Sequence, residues 1–141
     1  MTIIESVKNF ILTCPHLNEL ARISVDFLPE HTDTYSIEEV PCQTVIRRYL
    51  DGSSERQFLF VFAARFAYSD ELRNNIENSG FFENFENWLE DCTKKEIFPE
   101  MKEGLTPSRI EAVSSGYLFD ISEDLSESRY QIQCRLIYDK E

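Results

Sequence analysis

Residues 56–66 read Arg-Gln-Phe-Leu-Phe-Val-Phe-Ala-Ala-Arg-Phe. Successive side chains of a strand point to opposite faces. Phe58, Phe60 and Phe62 then share one face, and Leu59, Val61 and Ala63 the other. Both faces are apolar, so this strand belongs at the centre of a sheet covered on both sides. A small domain has few helices to supply two covers, and the second is expected from another subunit.

The flanking patterns predict the remaining elements. Residues 2–14 carry Ile3, Ile4, Val7, Phe10, Ile11 and Cys14 at helical spacing. Thr2 caps this helix with Glu5 three residues on, and Pro15 stops it. Residues 22–28 alternate as a strand with Ile23, Val25 and Phe27 inward. A weaker strand, 35–40, follows the turn Pro29–Thr34. A third, 43–50, alternates poorly and is expected to be partly exposed; Asp51-Gly52-Ser53-Ser54 then turns the chain into the central strand. A helical region, 70–95, starts at Ser69-Asp70 with Leu72 and Ile76 inward. Asn78-Ser79-Gly80 is expected to interrupt it, Gly being a usual residue just past a helix end. The second helix carries Phe81, Phe82, Phe85, Trp88, Leu89 and Cys92 on a core stripe, with Glu83, Glu86, Glu90 and Asp91 opposite.

Residues 96–107 read as a loop, and two last strands span 109–119 and 129–139, joined by the acidic 122–128. In the last one Tyr130, Ile132, Cys134, Leu136 and Tyr138 share a face. Arg129, Gln131, Gln133 and Arg135 make the other, a polar ladder that is either a solvated sheet face or a contact between subunits. The pattern as a whole predicts one α+β domain over 1–141. Its sheet is mainly antiparallel with about five strands, and the helices pack on one face. Phe85 and Trp88 are expected to be buried against the central strand.

Composition narrows the function classes. The chain has 141 residues, 42% hydrophobic and 13% aromatic, so a real core is affordable and disorder is not expected. No apolar run approaches the ~20 residues of a membrane helix. The start lacks the basic region of a signal peptide, so the protein is expected to be cytosolic where it is made. A formal net charge of −12 argues against nucleic-acid binding. It fits either a soluble acidic surface or one that must repel phosphate, as a ring through which DNA slides would.

Candidate chemistry is sparse. Cys14, Cys42, Cys92 and Cys134 have no zinc-ligand or Cys-x-x-Cys spacing and read as reduced, mostly buried thiols. His16 and His31 lie beside Pro-containing loops and read as surface residues. No phosphate-binding, nucleophile-elbow or zinc-protease motif is present. Glu38 and Glu39 read as carboxylates guarding an edge strand. No catalytic, cofactor-binding or metal-ligating residue is assigned, and no enzymatic activity is expected.

Five segments, taken in order, carry a resemblance. They are Tyr49-Leu50-Asp51-Gly52-Ser53-Ser54, Arg56-Gln57-Phe58-Leu59-Phe60-Val61-Phe62, Asn75-Ile76-Glu77-Asn78-Ser79-Gly80-Phe81, Gly116-Tyr117-Leu118-Phe119-Asp120 and the run from Tyr130 to Tyr138. Over roughly residues 3–139 the chain resembles minor tail proteins of the tail terminator (tail completion) type. These belong to long-tailed phages and prophages of Gram-positive bacteria. The acetyltransferase motif His-x-x-x-Asp-Gly is absent, since His31 is followed by no such Asp-Gly.

The resemblance implies a homo-oligomeric ring, usually a hexamer, located in the virion tail and assembled in the host cytoplasm. The ring caps the tail tube, ends its polymerisation and meets the head–tail connector protein. DNA passes through the centre without specific binding, and no membrane or cofactor is involved. Candidate subunit-interface residues are Arg47, Arg48, Asp51 and Glu55. Candidate channel-lining residues are Glu123, Asp124 and Glu127, with the helix face Glu83, Glu86, Glu90 and Asp91 as a second source of carboxylates. The competing reading is a monomeric or dimeric protein-binding adaptor that works through the acidic helix 81–95.

Overall fold

In chain order the elements are α1 (Ile3–Ile11), β1 (Ile23–Val25), β2 (Thr34–Val40), β3 (Val45–Arg48), β4 (Ser54–Ala67), α2 (Leu72–Lys94), β5 (Leu105–Ala112), β6 (Tyr117–Ile121) and β7 (Glu127–Lys140). The computed structural model describes residues 1–17, 22–29, 34–67, 72–124 and 126–141, with the backbone alone described for 67 and 72–79.

The spine of the fold is the antiparallel pair β4 and β7. It is in register from Ser54 opposite Lys140 to Ala67 opposite Glu127. Each strand is flanked on its outer edge by two shorter strands placed end to end. β3 and β2 pair with successive parts of β4, and β5 and β6 with successive parts of β7. The central position expected for residues 56–66 is therefore occupied, by a strand slightly longer than its apolar run.

The class is α+β, but the sheet has seven strands and is mixed, because β1 pairs with β2 in parallel. Two local breaks shape the edges of the sheet. Residues 113–116 break the expected strand 109–119 into β5 and β6. At the other edge, Asp26 adopts a left-handed conformation (φ 58) and ends β1 after Val25. Ile23 is buried, Val25 at the end of the strand is 40% exposed, and past the break Phe27 faces solvent at 63% exposure. Leu28 goes inward instead.

Leu28 also supplies the second cover. It packs with Val40 on Val61 and Ala63, the face of β4 turned away from the helices. The cover expected from another subunit thus comes, at these two residues, from the same chain. The opposite face holds the main core. There Phe58, Phe60, Phe62, Ile132, Cys134 and Leu136 meet α1 through Val7, Phe10 and Ile11, and α2 through Phe82, Phe85 and Leu89. The apolar face of β7 read from the sequence is buried throughout.

Helix α1 begins as expected, with the Thr2 hydroxyl accepting from the Glu5 amide at 3.3 Å. It ends at Ile11, and a tight turn carries the chain to Cys14 before Pro15. Helix α2 is one continuous helix; the break expected at Asn78-Ser79-Gly80 does not occur. A single Gly costs a helix only ~1 kcal/mol, and the aromatic face that follows buries far more than that. Ser69 and Asp70 lie outside the described residues, as do the side chains of Leu72 and Ile76.

Within that face Phe85 is fully buried and stacks on Phe62 at 4.6 Å. Trp88 is only half-buried. Its ring stacks on Phe10 of α1 at 5.0 Å and lies 5.9 Å from Phe85, so it joins the two helices at the edge of the core. Its position follows from the helical period, which carries residue 88 to the α1 side of the stripe.

Candidate functional site

The β3–β4 hairpin is the most exposed apolar feature. Its turn is tightly built. The Tyr49 amide donates to the Ser53 carbonyl at 2.9 Å and the Gly52 amide to the Tyr49 carbonyl at 3.1 Å. Gly52 sits at φ +93, a conformation that favours Gly. The Asp51 carboxylate accepts from the Ser53 hydroxyl at 2.6 Å and the Ser53 amide at 2.9 Å. The hydroxyl bond first, and the amide second, holds the Asp51 carboxyl below its ordinary pKa. Asp51 is therefore a builder of the turn.

What the turn presents is apolar and cationic. Leu50 is fully exposed, and Ile46 and Tyr49 are about two-fifths exposed at 42% and 39%. Arg47 and Arg48 point from the same short strand and are exposed. Neither forms an ion pair among the described residues. Glu55 is half-buried opposite Arg47 on one side and Asp139 on the other. One Asp139 carboxylate oxygen there is buried without a hydrogen-bond partner among the described residues. The structure thus keeps Arg47 and Arg48 exposed, ties Asp51 into the turn, and places Glu55 half-buried on β4.

The candidate channel loop lies at the other end of the spine, where β7 begins. Asp124 accepts from the hydroxyls of Ser126 and Ser122, both at 2.7 Å, and from the Ser126 amide at 3.1 Å. These bonds lower its pKa to about 2, the Ser126 hydroxyl contributing most. Glu123 is exposed, while Glu127 is half-buried and lies 3.9 Å from Arg65. The structure does not bring this loop together with the hairpin. A spine of this length, at ~3.3 Å per residue, separates them by roughly 40 Å.

Between the two ends the polar ladder is tied up inside the chain. Arg129 makes two bonds to the Glu38 carboxylate, at 3.0 and 2.9 Å, and its guanidinium lies 5.1 Å from the centre of the Phe119 ring. Gln131 donates to the Tyr117 hydroxyl at 2.6 Å, and Arg135 to Glu111 at 2.6 Å. Glu38 is thus no edge guard: β2 lies between β1 and β4, and the carboxylate reaches across β4 to Arg129. Sequence spacing gives no signal for this pair, because its members are 91 residues apart.

A groove of about 380 Å³ runs between the second half of α2 and β5. Glu86, Glu90 and Lys94 line it from the helix and Arg109, Glu111 and Ala112 from the strand, with the fully buried Ile110 beneath. Thr93 occupies the strand edge, its hydroxyl donating to the Ile110 carbonyl at 2.8 Å and accepting from the Ile110 amide at 3.2 Å. The groove was not legible in the sequence, since residues 96–107 read as a loop and β5 begins inside that stretch, at Leu105.

All four cysteines are free thiols; Cys14, Cys92 and Cys134 are buried and Cys42 half-exposed. Burial raises the pKa of the first three, most of all at Cys134. His16 is exposed, and His31 lies outside the described residues. Among the described residues no cluster of three or more His, Cys, Asp or Glu is arranged to hold a metal ion. No helix among them is long and apolar enough to cross a membrane.

Fold and surface together define an α+β domain with a hydrogen-bonded hairpin turn on one sheet edge and a groove of mixed charge on the other. No protein-family model and no curated protein matches the chain.

Proposed function

We propose that the chain is a structural protein of a long-tailed phage or prophage of Gram-positive bacteria. As a tail terminator it forms a ring, hexameric in the family it resembles, on the end of the tail tube. The ring ends tube polymerisation and joins the tail to the head–tail connector, and DNA passes through its centre.

One observation carries this reading: a hydrogen-bonded turn holds Leu50 fully in solvent beside two exposed arginines that form no ion pair among the described residues. Exposed apolar side chains on an ordered turn mark an interaction site, and an ordered turn loses little entropy on docking. The resemblance of the five sequence segments supplies the partner class. The net charge of −12 supports passage of DNA without binding, since like charges leave phosphates mobile.

The test is genetic and visual. In a host carrying the tail genes, removal of this gene is expected to give tails of uncontrolled length under the electron microscope. Restoring it is expected to return one length. Tails of normal length without the gene would overturn the proposal. The adaptor reading is separated by solution mass at high concentration in the presence of tail-tube protein: a protein that remains a monomer or dimer there is the adaptor.

A further inference from the structure

β2 and β3 pair with the same edge of β4, and the chain leaves that edge between them. β2 runs to Val40 opposite Leu59, and β3 begins with Val45 opposite Arg56. Pro41, which has no amide to give to a ladder, starts the departure. Across the gap the Gln57 amide donates to the Thr44 carbonyl at 2.9 Å, and the Cys42 thiol makes a weak contact with the Gln57 carbonyl at 3.9 Å.

The departure leaves a cavity of about 310 Å³ beside β4. Ile3, Val40, Phe58 and Leu59 supply apolar walls, and the exposed Glu39 and Thr44 stand at the rim. The Gln57 side chain on the lining already donates to the Gln43 carbonyl at 2.9 Å.

One lining group has no role in the fold's own hydrogen bonding. Tyr138 is 3% exposed, and its hydroxyl makes no hydrogen bond among the described residues. Buried hydroxyls are normally bonded, because burial without a partner is unfavourable. Nor is this oxygen sealed in protein: among the described residues, the side-chain oxygen that is both sealed and unbonded belongs to Asp139. In a residue so deeply buried, the hydroxyl opens onto the cavity that Tyr138 lines. Burial raises the phenol's pKa above its ordinary value, so the group stays a protonated donor.

We propose that this cavity binds a small uncharged carbonyl compound, whose oxygen accepts from Tyr138 and whose alkyl part lies on the apolar walls. The lining selects that class. No Lys or Arg lines the cavity among the described residues, so a carboxylate or phosphate would enter past Glu39 and find no counter-ion. An alkane would leave the hydroxyl unmet, and an alcohol would bring a second donor that itself needs a partner. At ~30 Å³ for each water-sized group the cavity holds about ten non-hydrogen atoms, at the small end of ligand sites. Cys42, half-exposed on the same lining, is covered when the site is filled. The site does not depend on the ring reading, and its failure would leave that reading untouched.

The experiment uses the full chain with methyl hexyl ketone, and octanoate as the charged counterpart. Binding is read by ligand-observed NMR and by protection of Cys42 from a disulfide reagent. The ketone is expected to bind at millimolar concentration or below and to slow labelling of Cys42 severalfold, and octanoate to do neither. Tyr138→Phe keeps the ring and is expected to weaken the ketone about fivefold to tenfold. Cys42→Phe, which adds a ring at the cavity wall, is expected to abolish its binding. Far-UV circular dichroism checks the fold of both variants. Equal labelling of Cys42 with and without the ketone would overturn the site, and this arm needs no substitution. Ketone binding unchanged in folded Tyr138→Phe would overturn the role of the hydroxyl, and binding unchanged in folded Cys42→Phe would place the ketone elsewhere. Octanoate bound as tightly as the ketone would overturn the uncharged class.

Discussion

Two glycines make the most searching test of the packing, because the same substitution is expected to act in opposite directions. Gly116 lies in the linker between β5 and β6, where a Cβ would collide with the Cβ of Phe82 and lie 2.6 Å from its Cγ. Its φ is outside the left-handed region, so Gly116→Ala probes the close approach alone. Phe82 has nowhere to go. It is fully buried, and its ring is hemmed in by Phe81 at 5.1 Å, Tyr130 at 6.2 Å and Phe66 at 6.3 Å. The colliding atoms belong to the base of the side chain, so relief needs a shift of the α2 backbone or of the linker. Overpacking of this kind costs about 1–3 kcal/mol. Gly80, inside α2, has nothing within 4 Å of its would-be Cβ. Gly80→Ala is expected to stabilise by about 0.5–1 kcal/mol, through helix propensity and a less flexible unfolded chain. Urea unfolding of the two variants and the parent protein checks both signs, with midpoints moving down for Gly116→Ala and up for Gly80→Ala. A Gly116→Ala midpoint equal to the parent's would mean that the linker does not press on α2. A destabilised Gly80→Ala would mean that the helix is broken there after all.

Three further outcomes follow from the same geometry. Phe85→Ala should cost about 3–5 kcal/mol, and Trp88→Ala clearly less, because Phe85 is fully buried on Phe62 while Trp88 is half-exposed between the helices; equal losses in urea melts would return Trp88 to the core. In native buffer a disulfide reagent should label Cys42 at once and the other three thiols only on unfolding, and rapid reaction of a second thiol would contradict their burial. The bonds to Asp124 stabilise its ionised form, so the order of its loop is complete above the ordinary carboxylate pKa and is lost as pH falls through about 2; an NMR titration of the Ser126 amide with a midpoint near ~3.9 would show that the serine hydroxyls do not hold it.

How much of this was readable from the chain depended on whether the determinant was local. The run 56–66 places the central strand because both its faces are apolar, and the alternation from Tyr130 to Tyr138 gives β7 its buried face. The aromatic stripe of α2 was equally plain. The errors arose where one residue redirects a pattern. Asp26, with positive φ, turned Phe27 outward and sent Leu28 across the sheet, which the alternation of 22–28 cannot anticipate. Gly80 reads as a stop, but its helix propensity is outweighed by burial of the stripe beyond it. At the candidate site the sequence offered Arg47 and Arg48 as exposed cations but gave no hint of the groove. That groove exists only because α2 and β5, distant in sequence, pack side by side, and Thr93 closes the strand edge between them.

The length of the spine yields a last prediction. The hairpin and the acidic loop occupy opposite ends of two strands paired along fourteen residues each. Roughly 40 Å apart, they lie beyond several screening lengths of one another at physiological salt, where the Debye length is about 8 Å. Charge changes at one end are then electrostatically invisible at the other, and the two functions proposed for them should separate. Arg48→Glu is expected to abolish rings in light scattering and to release tail length, because it reverses the charge of an exposed cation proposed for the subunit contact. Replacing Glu123, Asp124 and Glu127 together with Lys is expected to leave rings and tail length intact and to reduce DNA delivery, since cations facing the channel would hold phosphates. The crossed outcomes carry the information. Lost assembly in the lysine variant would place the acidic loop in a subunit contact. Normal delivery with normal tails would remove it from the channel and leave the α2 carboxylates as the lining. Intact rings in Arg48→Glu would remove the hairpin arginine from the contact.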